Sequence, residues 1–191
     1  TNEDEVSVTT INGGNLTIKV TGETGEGDGI DSNGWLVING GTIIAEACSS
    51  SADAGIDTDM GIHINGGTVM ATGNMLDRIS ESNQNYAVFS FAERQSGGIV
   101  YTLKNEAGEE VITYESENDF SYLILSSPEL TAGTYTLWQG ETQLAASAGE
   151  SMMGGMGMHA PQDGNGGFEG ERPEDMKKPE EGEMPKDMTP P

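Results

Sequence analysis

Six carboxylate and amide side chains stand in two short Gly-containing stretches, and their types and spacing suit a hard cation. The first stretch, Gly27-Asp28-Gly29-Ile30-Asp31-Ser32-Asn33-Gly34, offers Asp28, Asp31 and Asn33 within six residues. The second, Asp53-Ala54-Gly55-Ile56-Asp57-Thr58-Asp59, offers Asp53, Asp57 and Asp59. Ca2+ takes about six to eight oxygens from carboxylates, carbonyls and water on a flexible frame. The flanking glycines free the backbone to supply some of them. Asp and Asn are also ordinary turn residues, so plain turn formation accounts for either stretch taken alone. The pattern lacks the closing Glu of an EF-hand and the short, roughly nine-residue period of calcium-binding β-rolls.

What separates the two explanations is repetition. Gly29, Ile30 and Asp31 return 26 positions later as Gly55, Ile56 and Asp57. Each copy leads into the same sentence, Leu36-Val37-Ile38-Asn39-Gly40-Gly41-Thr42-Ile43 and then Ile62-His63-Ile64-Asn65-Gly66-Gly67-Thr68-Val69. Ile11-Asn12-Gly13-Gly14-Asn15-Leu16 is a third copy of the second half. A period in this range marks a solenoid or array. Alternating strand patterns with Gly-Gly corners, and no helical spacing, select β structure. The expected fold is therefore all-β, a right-handed parallel β-helix (a β-solenoid) with coils of about 26 residues. Aligning the copies sets Ile30 over Ile56, Leu36 over Ile62, and Ile11, Ile38 and Ile64 in one column. Leu16, Ile43 and Val69 form a second column, Ile18, Ala45 and Ala71 a third, and Asn12, Asn39 and Asn65 an amide ladder. In such a stack Asp31 lies beside Asp57, and Asn33 beside Asp59, at about the 4.8 Å strand spacing. Two carboxylates that close repel unless a cation lies between them or one is protonated, so the repeat favours calcium.

The expected organisation is coils over residues 1–85, degenerate coils or a strand-rich cap over 86–149, and a disordered tail over 150–191. Strand content in the middle part is read at 86–91, 98–104, 111–114, 122–125 and 134–138, from β-branched and aromatic residues. Met75 to Asn85 is polar and reads as an excursion. The tail holds seven of the ten Met and six of the seven Pro, with no periodicity to bury. Its alternative use, a soft-metal segment on Met152, Met153, Met156, Met158 and His159, rests on a single imidazole.

Composition narrows the partners. The chain of 191 residues has 32 acidic and 8 basic side chains, a net charge of −24. From Ser151 onward there are nine acids and four bases, a net of −5, which leaves −19 on residues 1–150. Nucleic acid is excluded as a partner, because phosphate binding needs Lys and Arg in number. Cations, or anions bridged by cations, are favoured instead. Cys48 is the single cysteine and reads as a core residue. No apolar run approaches the roughly 18 residues of a membrane span. With no leading Met or signal peptide, the expectation is a mature or excised piece of a larger surface protein.

Other residues add less. Trp35 opens the second copy; exposed aromatic faces stack on sugars, while an aromatic in a strand also packs as core. His63 replaces Val37 on the presumed outward face, where it reads as a surface residue rather than a base. Trp138 stands in the last expected strand. Lys19 is the one plausible proton-abstracting base within the coils.

The segments GDGIDSNGWLVINGGTIIA and AGIDTDMGIHINGGTVMATG, with Leu123-Ile124-Leu125-Ser126-Ser127-Pro128-Glu129-Leu130 and Gly133-Thr134-Tyr135-Thr136-Leu137 downstream, resemble the bacterial carbohydrate-binding β-helix family that recognises cellulose and pectic acid. The likeness spans about residues 10–140. It implies an extracellular or cell-surface location, an architecture like that of polysaccharide lyases, and Ca2+ on Asp28, Asp31, Asp57 and Asp59 with Asn33 as neighbour. The sequence departs from the repeat at Ala54, where Asp53 would have to substitute. The leading expectation is thus a non-catalytic, calcium-dependent module for a polysaccharide, pectic acid or cellulose, with Trp35 and His63 as sugar contacts. Two alternatives stay open. One is a structural cell-surface solenoid or adhesin with calcium as a staple; the other is a calcium-dependent polysaccharide lyase using Lys19.

Overall fold

The structure, a computed structural model, describes residues 7–22, 27–144 and 147–149. The chain divides into two units, Thr1–Ala160 and Pro161–Pro191; the second, and with it the tail reading, lies outside the described residues.

The repeats form strands where sequence alternation places them. These are β1 (Val8–Ile11), β2 (Asn15–Lys19), β3 (Ile30–Ser32), β4 (Trp35–Ile38), β5 (Thr42–Glu46), β6 (Ile56–Thr58), β7 (Gly61–Ile64) and β8 (Thr68–Gly73). They pair in parallel, copy on copy. β1-β4-β7 make a three-stranded sheet with Ile11, Ile38 and Ile64 in register. β3 pairs β6 with Ile30 against Ile56 and Asp31 against Asp57. β2, β5 and β8 align Leu16, Ile43 and Val69, then Ile18, Ala45 and Ala71. Leu36, Ile38, Ile43, Ile56, Ile62, Ile64 and Val69 are buried within one core. The Asn-Gly-Gly corners carry an amide chain: Asn39 Nδ2 donates to Asn12 Oδ1 at 2.9 Å, and Asn65 Nδ2 to Asn39 Oδ1 at 3.1 Å. Asn83 Nδ2 extends it onto Asn65 Oδ1 at 3.1 Å.

The pattern then changes, and the expectation of one right-handed parallel β-helix is overturned. β9 (Tyr86–Gln95), β10 (Ile99–Lys104), β11 (Glu110–Ser116), β12 (Phe120–Ser126), β13 (Thr136–Gln139), β14 (Thr142–Gln143) and β15 (Ser147–Gly149) all pair antiparallel. The result is several separate sheets, parallel, mixed and antiparallel, none of them closed. The physical reason is at β8. Its free edge is taken by β12 in antiparallel register, Ile124 against Ala71, so no further parallel copy can add there. A six-stranded mixed sheet, β15-β9-β12-β8-β5-β2, follows from that junction.

The mixed sheet is apolar on both faces. On β9 and β12, Val88 and Ile124 face the core of the repeats. Ala87, Phe89, Leu123 and Leu125 face a second core, as period-2 alternation requires. Tyr101, Leu103, Ile112, Tyr114 and Leu137, from the four-stranded sheet β11-β10-β13-β14, fill that second core. Ile44 and Met70, on the face of β5 and β8 that an isolated solenoid would turn to water, pack against it as well. One buried carboxylate pins the two parts together. Glu46 at the end of β5, with none of its side chain exposed, accepts the Tyr114 hydroxyl and the Glu117 and Asn118 amides, each at 2.9 Å.

The stretch Met75 to Asn85, expected to be an excursion, instead covers the open edge of the second copy through residues 75–84. Ala54 bridges Met75 and Ile62 bridges Ile79, both parallel. Gln84 then reaches Gly67 O and Ser126 Oγ, each at 2.7 Å, closing the corner.

Candidate functional site

The acidic stretches meet on the outer side of β3 and β6. Ile30 and Ile56 point inward and are buried, so Asp31 and Asp57 must point the other way. Gly29 N donates to Ala54 O at 3.1 Å and Ile30 N to Gly55 O at 3.0 Å, which locks the register of the two turns. Asp28 reaches across and accepts the Ala54 amide at 2.8 Å. The Ala54 substitution therefore keeps its backbone contact with the first copy. Asp53 packs against Gly27, where a Cβ would collide with its carboxylate. Asp28, Asp31, Asp53 and Asp57 are thus assembled on one surface.

The electrostatics are those of crowded, incompletely compensated carboxylates. The Asp28 carboxyl is pushed above the ordinary value by desolvation, against the Ala54 hydrogen bond, with further pressure from Asp53, Asp57 and Asp31. Asp57 is likewise raised by desolvation, then by the charges of Asp77 and Asp31, with Asp59 also contributing. Like charges and low solvation both favour the protonated acid.

Asp77 was not among the residues singled out from the sequence. It accepts a hydrogen bond from the Thr58 hydroxyl and lies close enough to raise Asp57. Spacing could not have found it, because it stands 20 residues after Asp57, off the 26-residue period. Asp59 and Asn33 are exposed. Asp59 N donates to Ser32 O at 3.1 Å, and no hydrogen bond among the described residues ties the Asn33 side chain to the column. The stretches therefore supply hard oxygen donors in neighbouring pairs. Among the described residues, no three His, Cys, Asp or Glu side chains come together as a ready-made ligand set.

Trp35 and His63 do meet. Their ring centroids are 4.7 Å apart at an interplanar angle of 36°. The expectation that His63 is a surface residue is corrected, since it is only 7% exposed. Residues 80–82 pass over β7 and cover it: His63 Nδ1 lies 2.5 Å from Glu81 O, and Ser82 Oγ accepts from Ile64 N at 2.9 Å. Because a carbonyl only accepts, Nδ1 carries the hydrogen, and the buried Nε2 has no partner among the described residues. Trp35 remains half-buried, with part of its surface open. Trp138 is engaged elsewhere, its ring 4.9 Å below the Lys104 ammonium and its Nε1 donating to Thr136 Oγ1 at 2.8 Å.

Lys19 is held by acids. Its ammonium lies 2.5 Å from Glu117 Oε1 and 3.9 Å from Glu46 Oε1. The Glu117 hydrogen bond raises its pKa above the usual lysine value, against a smaller desolvation effect. A lysine held this way keeps its proton at neutral pH and makes a poor base. Cys48 is buried as expected, 3.1 Å from the Ser50 hydroxyl. Among the described residues no helix is long and apolar enough to cross a membrane.

Comparison with family models, curated proteins and solved structures returned no match.

Proposed function

We propose that the chain is a non-catalytic carbohydrate-binding module whose acidic column takes calcium and presents it to a polysaccharide. The observation that carries this reading is the register pair Asp31–Asp57, extended by Asp77, in which Asp57 is raised first by desolvation and then by the charges of Asp77 and Asp31. A divalent cation relieves that repulsion directly. Because the protein donors come in pairs, the rest of a Ca2+ shell falls to water and to ligand oxygens. Uronate carboxylates and sugar hydroxyls are hard donors of the right kind, so one ion can bridge an anionic glycan to a strongly acidic surface. Trp35, paired with Gly61 at the start of β7, supplies an apolar ring face for a pyranose to stack on. The resemblance to the pectic-acid- and cellulose-recognising family points to the same ligand class and to an extracellular or cell-surface setting. Lyase chemistry is disfavoured by the commitment of Lys19 to Glu117 and Glu46.

Titration calorimetry with polygalacturonate, in calcium and after chelation, tests the reading. Binding in calcium that disappears on chelation supports it. Calcium raising the melting temperature with no glycan bound in either condition sinks it, and leaves a calcium-stapled surface scaffold instead.

A further inference from the structure

Within residues 1–150 the basic side chains are Lys19, Arg78, Arg94 and Lys104. Lys19 is paired with Glu117 and Glu46, and Lys104 with Glu110 at 3.7 Å. Arg94 donates to Ser49 O at 2.6 Å. Arg78 is exposed and donates to Met60 O. Among the described residues no carboxylate lies within ion-pairing distance of it. Among the described residues Arg94 likewise has no carboxylate within that distance, so it is the setting of Arg78, next to Asp77 in sequence and close to the Trp35 ring, that calls for explanation.

Its surroundings suggest the reason. Gly61 has φ +134 and no side chain, and a Cβ there would strike the Ser80 hydroxyl. The same Cβ position is 3.2 Å from Trp35 Cζ3 and 3.4 Å from Arg78 Nε. The indole edge and the guanidinium stem therefore converge on one bare backbone position. His63, its ring centroid 4.7 Å from that of the indole, is itself held by the Glu81 carbonyl. The result is an aromatic face with a planar cation at its margin. Guanidinium N–H groups left over from the Met60 carbonyl can form the two-pronged pair that a carboxylate prefers.

We propose that Arg78 is a specificity-determining residue, contacting the carboxylate of a uronate stacked on Trp35 directly rather than through calcium. This rests on the carbohydrate-binding reading above and adds to it a means of telling acidic from neutral sugars. Calcium on the neighbouring column then acts in concert, by removing the negative field that would repel the same uronate.

The test compares wild type, Arg78→Gln and Arg78→Lys for binding to polygalacturonate and to its methyl-esterified form, in excess calcium. Wild type binds the acid form more tightly. Arg78→Gln loses about tenfold to a hundredfold on the acid form, the range for a hydrogen bond to a charged group. It is unchanged on the ester, and Arg78→Lys recovers part of the loss. Equal binding of the acid form by Arg78→Gln and wild type overturns the inference while leaving the module reading standing. An equal loss on both polymers also overturns it, because that marks a structural role. If wild type binds neither polymer, both the inference and the reading beneath it fall.

Discussion

The Glu46 carboxylate and the Tyr114 hydroxyl lie 2.9 Å apart across 68 residues of sequence, inside a junction where the Glu46 side chain has no solvent exposure. The Glu117 and Asn118 amides complete the shell of the same carboxylate. Burial above all, with the charge and hydrogen bond of Glu46 adding to it, raises the Tyr114 hydroxyl well above the ordinary tyrosine range, so it stays a donor. Glu46→Ala strands that hydroxyl and two amides without acceptors. The expected cost is about 3 kcal/mol or more, at about 1–3 kcal/mol for each buried donor left unsatisfied. Tyr114→Phe removes one donor and leaves two, costing about 1–2 kcal/mol. Urea unfolding of both variants gives the comparison; equal costs would mean that the tyrosine, not the carboxylate, organises the junction.

The acidic column predicts a stability effect with a definite sign. Asp57 is held above the ordinary value of 3.8 in the folded protein. Above the raised pKa the charged form carries its full destabilising cost. As the pH falls through the raised value towards 3.8, the folded state takes up its proton first and gains stability relative to the unfolded chain. Below both values nothing more changes. Asp57→Asn in chelator is therefore stabilising at neutral pH, by less than about 1 kcal/mol because the group is partly solvated and screened. The gain fades as the pH drops through that window. In calcium the order reverses, wild type being the more stable. Thermal melts across pH, with and without calcium, decide it; no reversal in calcium would count against metal on this column.

Close stacking of the copies predicts that glycines differ sharply in tolerance. A Cβ on Gly55 would sit 2.7 Å from both Ala45 O and Thr72 N, backbone atoms on both sides that cannot swing away. Gly55→Ala should cost about 3 kcal/mol or more, at the upper end of overpacking effects. A Cβ on Gly13 meets nothing within 4 Å, so Gly13→Ala should be close to neutral. Calorimetric melting of the pair checks this.

Pairing within the repeats was legible because each copy spells out its own register. Once Ile30 stands over Ile56, the positions of Asp31 and Asp57 follow, as do the asparagine corners. Where the repeat stops, so does that guide. Strands in residues 86–139 could be read from β-branched and aromatic content, but nothing local says that Leu123 pairs with Thr72 rather than starting another coil. The solenoid expectation failed at that pairing. His63 was misplaced for a related reason: alternation turned it outward correctly, yet residues 80–82, too irregular to read as cover, fold over it. Asp77 and Arg78 reach the site from that same irregular stretch, where neither period nor motif could announce them.

The union of β8 with β12 also bears on how the chain reaches this state. During synthesis the parallel copies emerge first, and β8 waits with an unpaired edge until residues 120–126 are made. Its outward Met70 and the neighbouring Ile44 wait with it, since their cover comes from the same later strands. Sequence-distant pairing of this kind closes slowly. An apolar, unpaired strand edge held open meanwhile is a template for neighbouring chains. Yield on refolding should therefore fall steeply with protein concentration, with the competition lost or won at one strand.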